Sequence, residues 1–461
     1  MKFYRYRKAE RGLDELENNH IFFSDIGSSN DPVGEGEITV YWQGDRIAWQ
    51  GLLKNYVSSI VHCMDLYAVG ASPDDLKNFV SIPDIKVYDN VPLGKILFSI
   101  RQQFLHQDNI SYLCRKLAES DKDISVERLK LIMFLIYSDA AKLVIKELSS
   151  KVEWYQNFQN AFDKLDKVKT LIKPNTKNDL IDLLTDTSED KVLAYYQVLE
   201  DELDIWIGSV KDKREKAFFE LIARFPFNYV ESLKQYIHPE VYIACFSKTP
   251  HDGQMWGNYA GNATGVSIIY ESILEKDEEK LPLYEQYSTY SNDTEWKTEW
   301  RYRNVPFHEI KYSNKVEKVN FFLSLGRFSV EQLESWLCSD TGNASASLKY
   351  IYENTDVWRE NYWKVFFYRY YRKSQDWAHE QEYRLTIDNS FWDYSDKKNR
   401  LIHINPQNIV GVILGPKICE EDKYRYYSLI RRLKEINKYP VFDIYQAYEK
   451  DGRLYHRKIL L

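Results

Sequence analysis

Two textures alternate along this chain, and their order limits how it can fold. From about residue 96 to 240, apolar residues recur at three- to four-residue spacing through 125–148, 152–172, 178–199 and 201–222, without strand-like alternation. Short strand-like runs lie far to either side: 3–7 and 21–24 before this stretch, 241–247 and 265–270 after it, and 383–387, 409–414 and 441–445 near the end. A sheet made from these runs has to be assembled across hundreds of residues. The pattern predicts an α+β protein in which a mixed central sheet carries a large all-helical insertion of four to six helices.

The division that follows is 1–95 for the N-terminal part of the core, 96–240 for the helical insertion and 241–304 for the core continued. A second insertion takes 305–364, with an amphipathic helix over 329–338, and the C-terminal part of the core takes 365–461. Within the first part, 9–19 reads as a helical turn region and 52–67 as a helix, with apolar residues at 53, 56, 60, 61 and 64. A helix is also expected over 420–436. At 461 residues the chain exceeds one ordinary core, so two to four modules, or one with large insertions, are expected.

Composition narrows the function classes. Tyr, Trp and Phe make up 15% of the chain, with 36 Tyr; such residues suit ring-lined clefts, protein contacts or base stacking, and equally a Tyr-rich core. A net charge of −7 with both signs interspersed argues against a broad phosphate-binding face, although a single nucleotide needs only one or two local cations. The run Arg369-Tyr370-Tyr371-Arg372-Lys373 reads as a basic stripe or as a solvated face. The five cysteines are far apart, with neither zinc-type spacing nor a disulfide framework, which points to a reducing compartment. The charged start, Met1 to Lys8, does not look like a signal peptide, and the apolar run 129–148 is interrupted by Lys130, Asp139, Lys142 and Lys146. A cytoplasmic protein with no membrane association and no metal is expected.

Three segments could carry chemistry. In Trp377-Ala378-His379-Glu380-Gln381-Glu382-Tyr383-Arg384, a strand would set Glu380, Glu382 and Arg384 on one face. Two carboxylates about 7 Å apart repel, so one can have a raised pKa while Arg384 keeps the other ionised, a pair suited to acid/base work or to gripping a ribose diol. The same pattern also makes an edge-strand charge ladder. In Cys245-Phe246-Ser247-Lys248 and Met255-Trp256-Gly257-Asn258-Tyr259-Ala260, a strand ending in Ser leads to a short helix whose Trp256 and Tyr259 share a face and can bind a ring or serve as core. No G-x-S-x-G marks Ser247 as a nucleophile. In Tyr4-Arg5-Tyr6-Arg7, Arg5 and Arg7 share a strand face and can grip a pyrophosphate, while Asn30-Asp31-Pro32 makes an Asx-type turn. No P-loop, G-x-G-x-x-G or H-E-x-x-H motif is present.

Taken together, Tyr4-Arg5-Tyr6-Arg7, Asn30-Asp31-Pro32, Cys245-Phe246-Ser247, Met255-Trp256-x-x-Tyr259-Ala260, Gly265-Val266 and Trp377-x-x-Glu380-x-Glu382-Tyr383-Arg384 resemble a large bacterial domain-of-unknown-function family whose members often occur near mobile and phage-defence genes. That family is in turn distantly similar to ADP-ribosyltransferases of the Arg–Ser–Glu type. The resemblance covers roughly 1–95, 240–300 and 365–450. It implies an ADP-ribosyltransferase-like sheet and NAD as substrate. Arg5 would sit on the dinucleotide phosphates, with Arg7 as its rival and with Asn30 and Asp31 near the cofactor. Ser247 would brace the nicotinamide ribose, and Trp256 or Tyr259 would stack on nicotinamide. Glu382 would stabilise the oxocarbenium-like transition state and Glu380 would guide a macromolecular acceptor. The Cys-Phe-Ser strand departs from the usual Ser-Thr-Ser. Three functions follow as expectations: an NAD-consuming defence effector or toxin, a non-catalytic nucleotide-sensing or partner-binding module, or a two-carboxylate hydrolase or nuclease built on Glu380 and Glu382.

Overall fold

The computed structural model describes residues 1–28, 31, 35–77, 92–158, 161–162, 177–292, 295–436, 438–439 and 441–460. The chain is a mixed α/β protein that divides into two compact units, each built from separated stretches. The first takes Met1–Glu37, Pro239–Val316 and Phe366–Leu461, and the second takes Ile38–His238 and Glu317–Val365.

A nine-stranded sheet organises the first unit. Its order is His308–Glu309, Glu382–Asp388, Val241–Ser247, Lys2–Arg7, Val266–Glu271, Ile409–Leu414, Asp443–Lys450 and Arg453–Ile459, with Ser24–Asp25 also bonded to Val241–Ser247. All neighbours are antiparallel except Ile409–Leu414 with Asp443–Lys450, whose parallel pairing is spanned by the helix Glu420–Glu435. That helix buries Tyr426, Leu429, Ile430 and Leu433, a single stripe at helical spacing. Phe3, Ile268, Tyr270 and Val412 lie in the same apolar cluster. Alternate residues of the same strands, Tyr6, Ile269 and Ile413, pack instead with Met255 and Trp256 of the short helix Gly253–Tyr259. Period-two alternation thus gives the sheet two covered faces. A second sheet in this unit joins His20–Phe22, Leu401–Ile404, Glu278–Asn292 and Ile273–Glu275, with Glu295–Pro306 paired to Glu278–Asn292.

Helices dominate the second unit. Val126–Leu148 begins where the Ser125 side chain accepts a hydrogen bond from Arg128 N and is buried on most of its surface. Arg46–Ala68 starts at Asp45, which caps Ala48 N, and so begins earlier than the 52–67 stretch suggests. The described residues also include Pro92–Leu105, Asp108–Glu119, Lys177–Asp186, Glu189–Gly208 and Phe225–Leu233. Phe225-Pro226 opens a helix because proline is tolerated in the first turn, where the missing N–H is not needed. In the later stretch Ser329 makes a capping box with Gln332, starting Val330–Leu337. The two stretches share one core: Thr39–Tyr41 pairs in parallel with Lys318–Asn320, and Trp336 packs with Trp49 and Leu53 in one cluster.

The units break the chain in places other than those the texture suggested. Ile38 onward already belongs to the helical unit, because Arg46–Ala68 is buried on nearly every side, and the second excursion runs from Glu317 to Val365. Of the helix expected over 152–172, Glu153–Phe158 is a short 3-10 segment; 159–160 and 163–172 lie outside the described residues. Among the described residues no helix is long and apolar enough to cross a membrane.

The close approach of Arg46–Ala68 to Trp336 depends on Gly51, where a methyl group would collide with the Trp336 carbonyl oxygen. We expect Gly51→Ala to destabilise the protein by about 1–3 kcal/mol, read as a lower denaturant midpoint, despite the better helix propensity of alanine.

Candidate active site

The site forms where the large sheet splits. Lys2–Arg7 and Val241–Ser247 pair only at Tyr4 opposite Ser247. Further along, Val241–Ser247 takes Ser24–Asp25 as its neighbour, at Ile243 and Tyr242. Between these contacts the strands part around a cavity of about 180 Å³ whose lining includes Tyr4, Arg5, Arg7, Cys245, Ser247, Tyr259, Lys373, Glu380 and Glu382. Three sequence-distant motifs therefore meet in one cavity.

Glu382 opens the strand Glu382–Asp388 and lies opposite Ser247, which lies opposite Tyr4, so these three share one face in adjacent strands. Glu380 is not on the strand as expected; it ends the 3-10 segment Gln375–Glu380. Gln381 then takes a left-handed backbone (φ 44°), a conformation costing a non-glycine residue roughly 1–3 kcal/mol. Two bonds hold this turn: Ser247 Oγ donates to the Glu380 carbonyl at 2.8 Å, and Lys248 N donates to the Gln381 carbonyl at 3.1 Å. The turn sends both carboxylates to the same cation. Lys373 Nζ lies 2.7 Å from Glu380 Oε2 and 3.3 Å from Glu382 Oε2. Arg384 Nε holds the other Glu382 oxygen at 2.7 Å, and Arg384 Nη2 pairs with Glu35. Tyr259 Oη donates to Glu380 Oε1 at 2.6 Å.

All five charged groups of this cluster are buried, and its three carboxylates outnumber its two cations. Burial raises the Glu382 carboxyl to about 7; Lys373 opposes the rise and Glu380 adds to it. Burial alone would lower the Lys373 ammonium, but Glu382 and Glu380 outweigh it and hold it above its ordinary value. The Cys245 side chain is open to the cavity yet enclosed by the body of the unit. That enclosure, with Glu382 beside it, pushes its thiol well above the ordinary value and makes it a poor nucleophile.

The lining also carries two cations, Arg5 and Arg7. Arg5 and Arg7 share one carboxylate, Glu15, with their Nε atoms 3.0 and 2.8 Å from its oxygens. Arg5 is buried and also donates to the carbonyls of Cys245 (3.0 Å) and Phe22 (2.9 Å), so it staples the split strands together. Arg7 keeps about a quarter of its side chain exposed.

Several sequence-level candidates sit elsewhere. Trp256 is not in the lining: its indole is buried, donates to the Pro250 carbonyl at 2.9 Å and packs edge-on against Tyr6, so it serves as core. Asp31 is buried and accepts from Ser374 N at 2.9 Å. Asn30 and Pro32 lie outside the described residues. Lys373 and Arg372 are not a solvated face, because Arg372–Lys373 pairs as a short parallel strand with Lys311–Tyr312 and both side chains are buried. The sequence places Lys373 only in a basic stripe or solvated face and gives no role to Glu35; the available signal was the excess of acids near Arg384. Among the described residues no group of three or more His, Cys, Asp or Glu is arranged to hold a metal.

Compared with protein-family models, curated proteins and solved structures, the chain matches none.

The raised Glu382 carboxyl sets a pH dependence. Its ordinary value is 4.5 and its folded value about 7, so between these the folded state binds more protons than the unfolded one. The contribution of Glu382 to stability is therefore fullest below about 4.5, falls as pH rises through this window by up to about 3 kcal/mol, and levels off above about 7. Thermal melting across pH 4–8 should show that decline in the wild type and a flatter profile in Glu382→Gln.

Proposed function

We propose that this cavity binds a nicotinamide dinucleotide by its nicotinamide-ribose end and cleaves the N-glycosidic bond, in the manner of ADP-ribosyltransferases. The observation that carries the reading is the mixed charge of the cavity lining: the Glu380 and Glu382 carboxylates with the rings of Tyr4 and Tyr259, together with the Arg5–Arg7 pair. A pyridinium ring bearing positive charge suits the carboxylates, and the anionic pyrophosphate suits the arginines. At about 180 Å³ the cavity is smaller than the ~300–1,000 Å³ typical of ligand pockets, so it takes the ring and ribose while the rest of the dinucleotide extends out past Arg7.

In this mechanism the bond between ribose C1′ and the ring nitrogen breaks, and its electron pair leaves with neutral nicotinamide. The oxocarbenium-like centre is stabilised by the ionised Glu382, which at neutral pH is present in substantial fraction. An acceptor hydroxyl or water attacks C1′ and gives its proton to a carboxylate, with Glu380 the candidate base. Ser247 acts by bracing the Glu380 backbone, and Lys373 aligns both carboxylates. A macromolecular acceptor makes the protein a transferase, and water makes it a glycohydrolase; the defence or toxin role implied by the family resemblance rests on the same site.

A second reading has its own support. The charges are internally satisfied, Glu380 and Glu382 by Lys373 and Arg5 by Glu15, which suits a non-catalytic site that reads a nucleotide. Incubation with NAD, followed by chromatography for nicotinamide and by transfer of labelled ADP-ribose to a cell lysate, separates the two. We expect turnover by the wild type and a loss of about 100-fold or more in Glu382→Gln. Saturable NAD binding without turnover assigns the sensing role, and neither binding nor turnover rejects both.

A further inference from the structure

The strand Glu295–Pro306 is an open edge. Among the described residues its only ladder partner is Glu278–Asn292, and every residue from 295 to 304 is exposed. Trp296 shows 78% of its surface. A long, exposed edge is ordinarily a liability that proteins blunt with charge, proline or a covering segment. Here the charges follow a pattern.

Alternation sorts the strand into two faces. Trp296, Thr298, Trp300 and Tyr302 lie on one, where Tyr284 from the paired strand sits 6.0 Å from Trp300 and 5.1 Å from Tyr302. Glu295, Lys297, Glu299, Arg301 and Arg303 lie on the other. There Ser288 Oγ donates to Glu299 at 3.1 Å and Arg301 lies over the Tyr287 ring. The heptapeptide Glu295-Trp296-Lys297-Thr298-Glu299-Trp300-Arg301 has Thr at its centre, Trp two positions to either side of it, and charges that invert on reversal.

We infer that a second copy of this chain docks on that edge, the two Glu295–Pro306 strands pairing antiparallel about a two-fold axis at Thr298. Such an axis requires a residue to face its own copy, because outward-pointing backbone groups alternate along the strand. At Thr298, Lys297 meets Glu299 of the second copy, Glu295 meets Arg301, and Trp296 meets Trp300. Every described charge in the heptapeptide then faces its opposite. Neighbouring registers do worse: an axis at Trp296 pairs only Glu295 with Lys297 among the described charges. An axis at Lys297, Glu299 or Arg301 sets that charge against itself, and one at Trp300 sets Lys297 against Arg303. The acids and bases of the heptapeptide are interleaved, with no run of positive charge to face a phosphate backbone, which disfavours nucleic acid as the occupant. The interface is a β-augmentation that joins the two sheets.

Sedimentation equilibrium of the full chain tests this directly. The wild type should show a reversible dimer within a range reaching about 100 μM, weakening with salt. Lys297→Glu alone and Glu299→Lys alone each set like charges face to face and should weaken the dimer at least about tenfold. The two changes in one chain should restore it, and an equimolar mixture of the two single variants should form a heterodimer although each alone is monomeric. These residues are exposed, so circular dichroism should be unchanged. A wild type that stays monomeric throughout, a dimer indifferent to the single reversals, or a failure of the double change to restore association would each overturn the inference.

Discussion

The candidate site depends on one buried cluster, in which Lys373 and Arg384 hold Glu380, Glu382 and Glu35. Removing five charged groups from water is costly, and paired charges in a protein interior recover that cost only when geometry and hydrogen bonding are nearly complete. Such a cluster is weak evidence for stability. Its value is that no part of it tolerates the absence of another. Glu35 comes from the start of the chain, and Lys373 to Arg384 from near its end. The strand that braces their turn comes from the middle. Without the first segment Arg384 loses one of its two carboxylates, and without the middle strand the turn at Gln381 loses its braces, so the cluster is complete only when all three segments are in place.

The same cluster carries a surplus of negative charge, three acids to two bases. Burial is the main reason that Glu382 titrates near neutrality; Lys373 offsets it in part and the neighbouring Glu380 adds to it. A cationic ligand would complete the balance that the protein leaves open. Arg5, also in the lining, is bound to Glu15 and to two carbonyls, so it holds the parted strands beside which Arg7 keeps a partly exposed guanidinium. Of the two arginines singled out by alternation, the structural one and the ligand-accessible one are thus distinct, a difference that alternation alone cannot express because both lie on the same strand face.

What was legible in the sequence follows from this physics. The helix Glu420–Glu435 announces itself by one buried stripe at helical period, and the strand Val241–Ser247 and the long helix Val126–Leu148 by near-continuous apolar runs of strand and helix length. That Ser247 and Glu382 would be neighbours could be inferred only from the set of motifs, since no local period reports a pairing across more than a hundred residues. The position of Glu380 was misread because strand alternation gives the same side for 380 and 382 as the observed left-handed turn at Gln381 does. Trp256 looked like a ligand platform because spacing shows which residues share a helix face but not whether that face meets a cavity or the core. Lys373 was hidden by its neighbours: in a run with Arg369 and Arg372 a buried lysine looks like solvated charge. The ribbon Glu278–Pro306 carried no apolar period because both its faces are largely exposed.

Connectivity gives the ion cluster a further role. The second unit is made of two excursions from the first, and they share a single core through the Thr39–Tyr41 and Lys318–Asn320 pairing. The first excursion leaves at Ile38, shortly after Glu35, and the second returns at Phe366, shortly before Arg372–Lys373. An insertion is tolerated when the backbone at its exit and return is fixed independently of the inserted body. Glu35, held by Arg384, fixes the first exit, and Lys373, held by Glu380 and Glu382, fixes the last return. The charges that shape the cavity therefore also fix the first unit's own backbone next to both junctions, so a substitution that frees either one acts on the cavity and on that backbone at once.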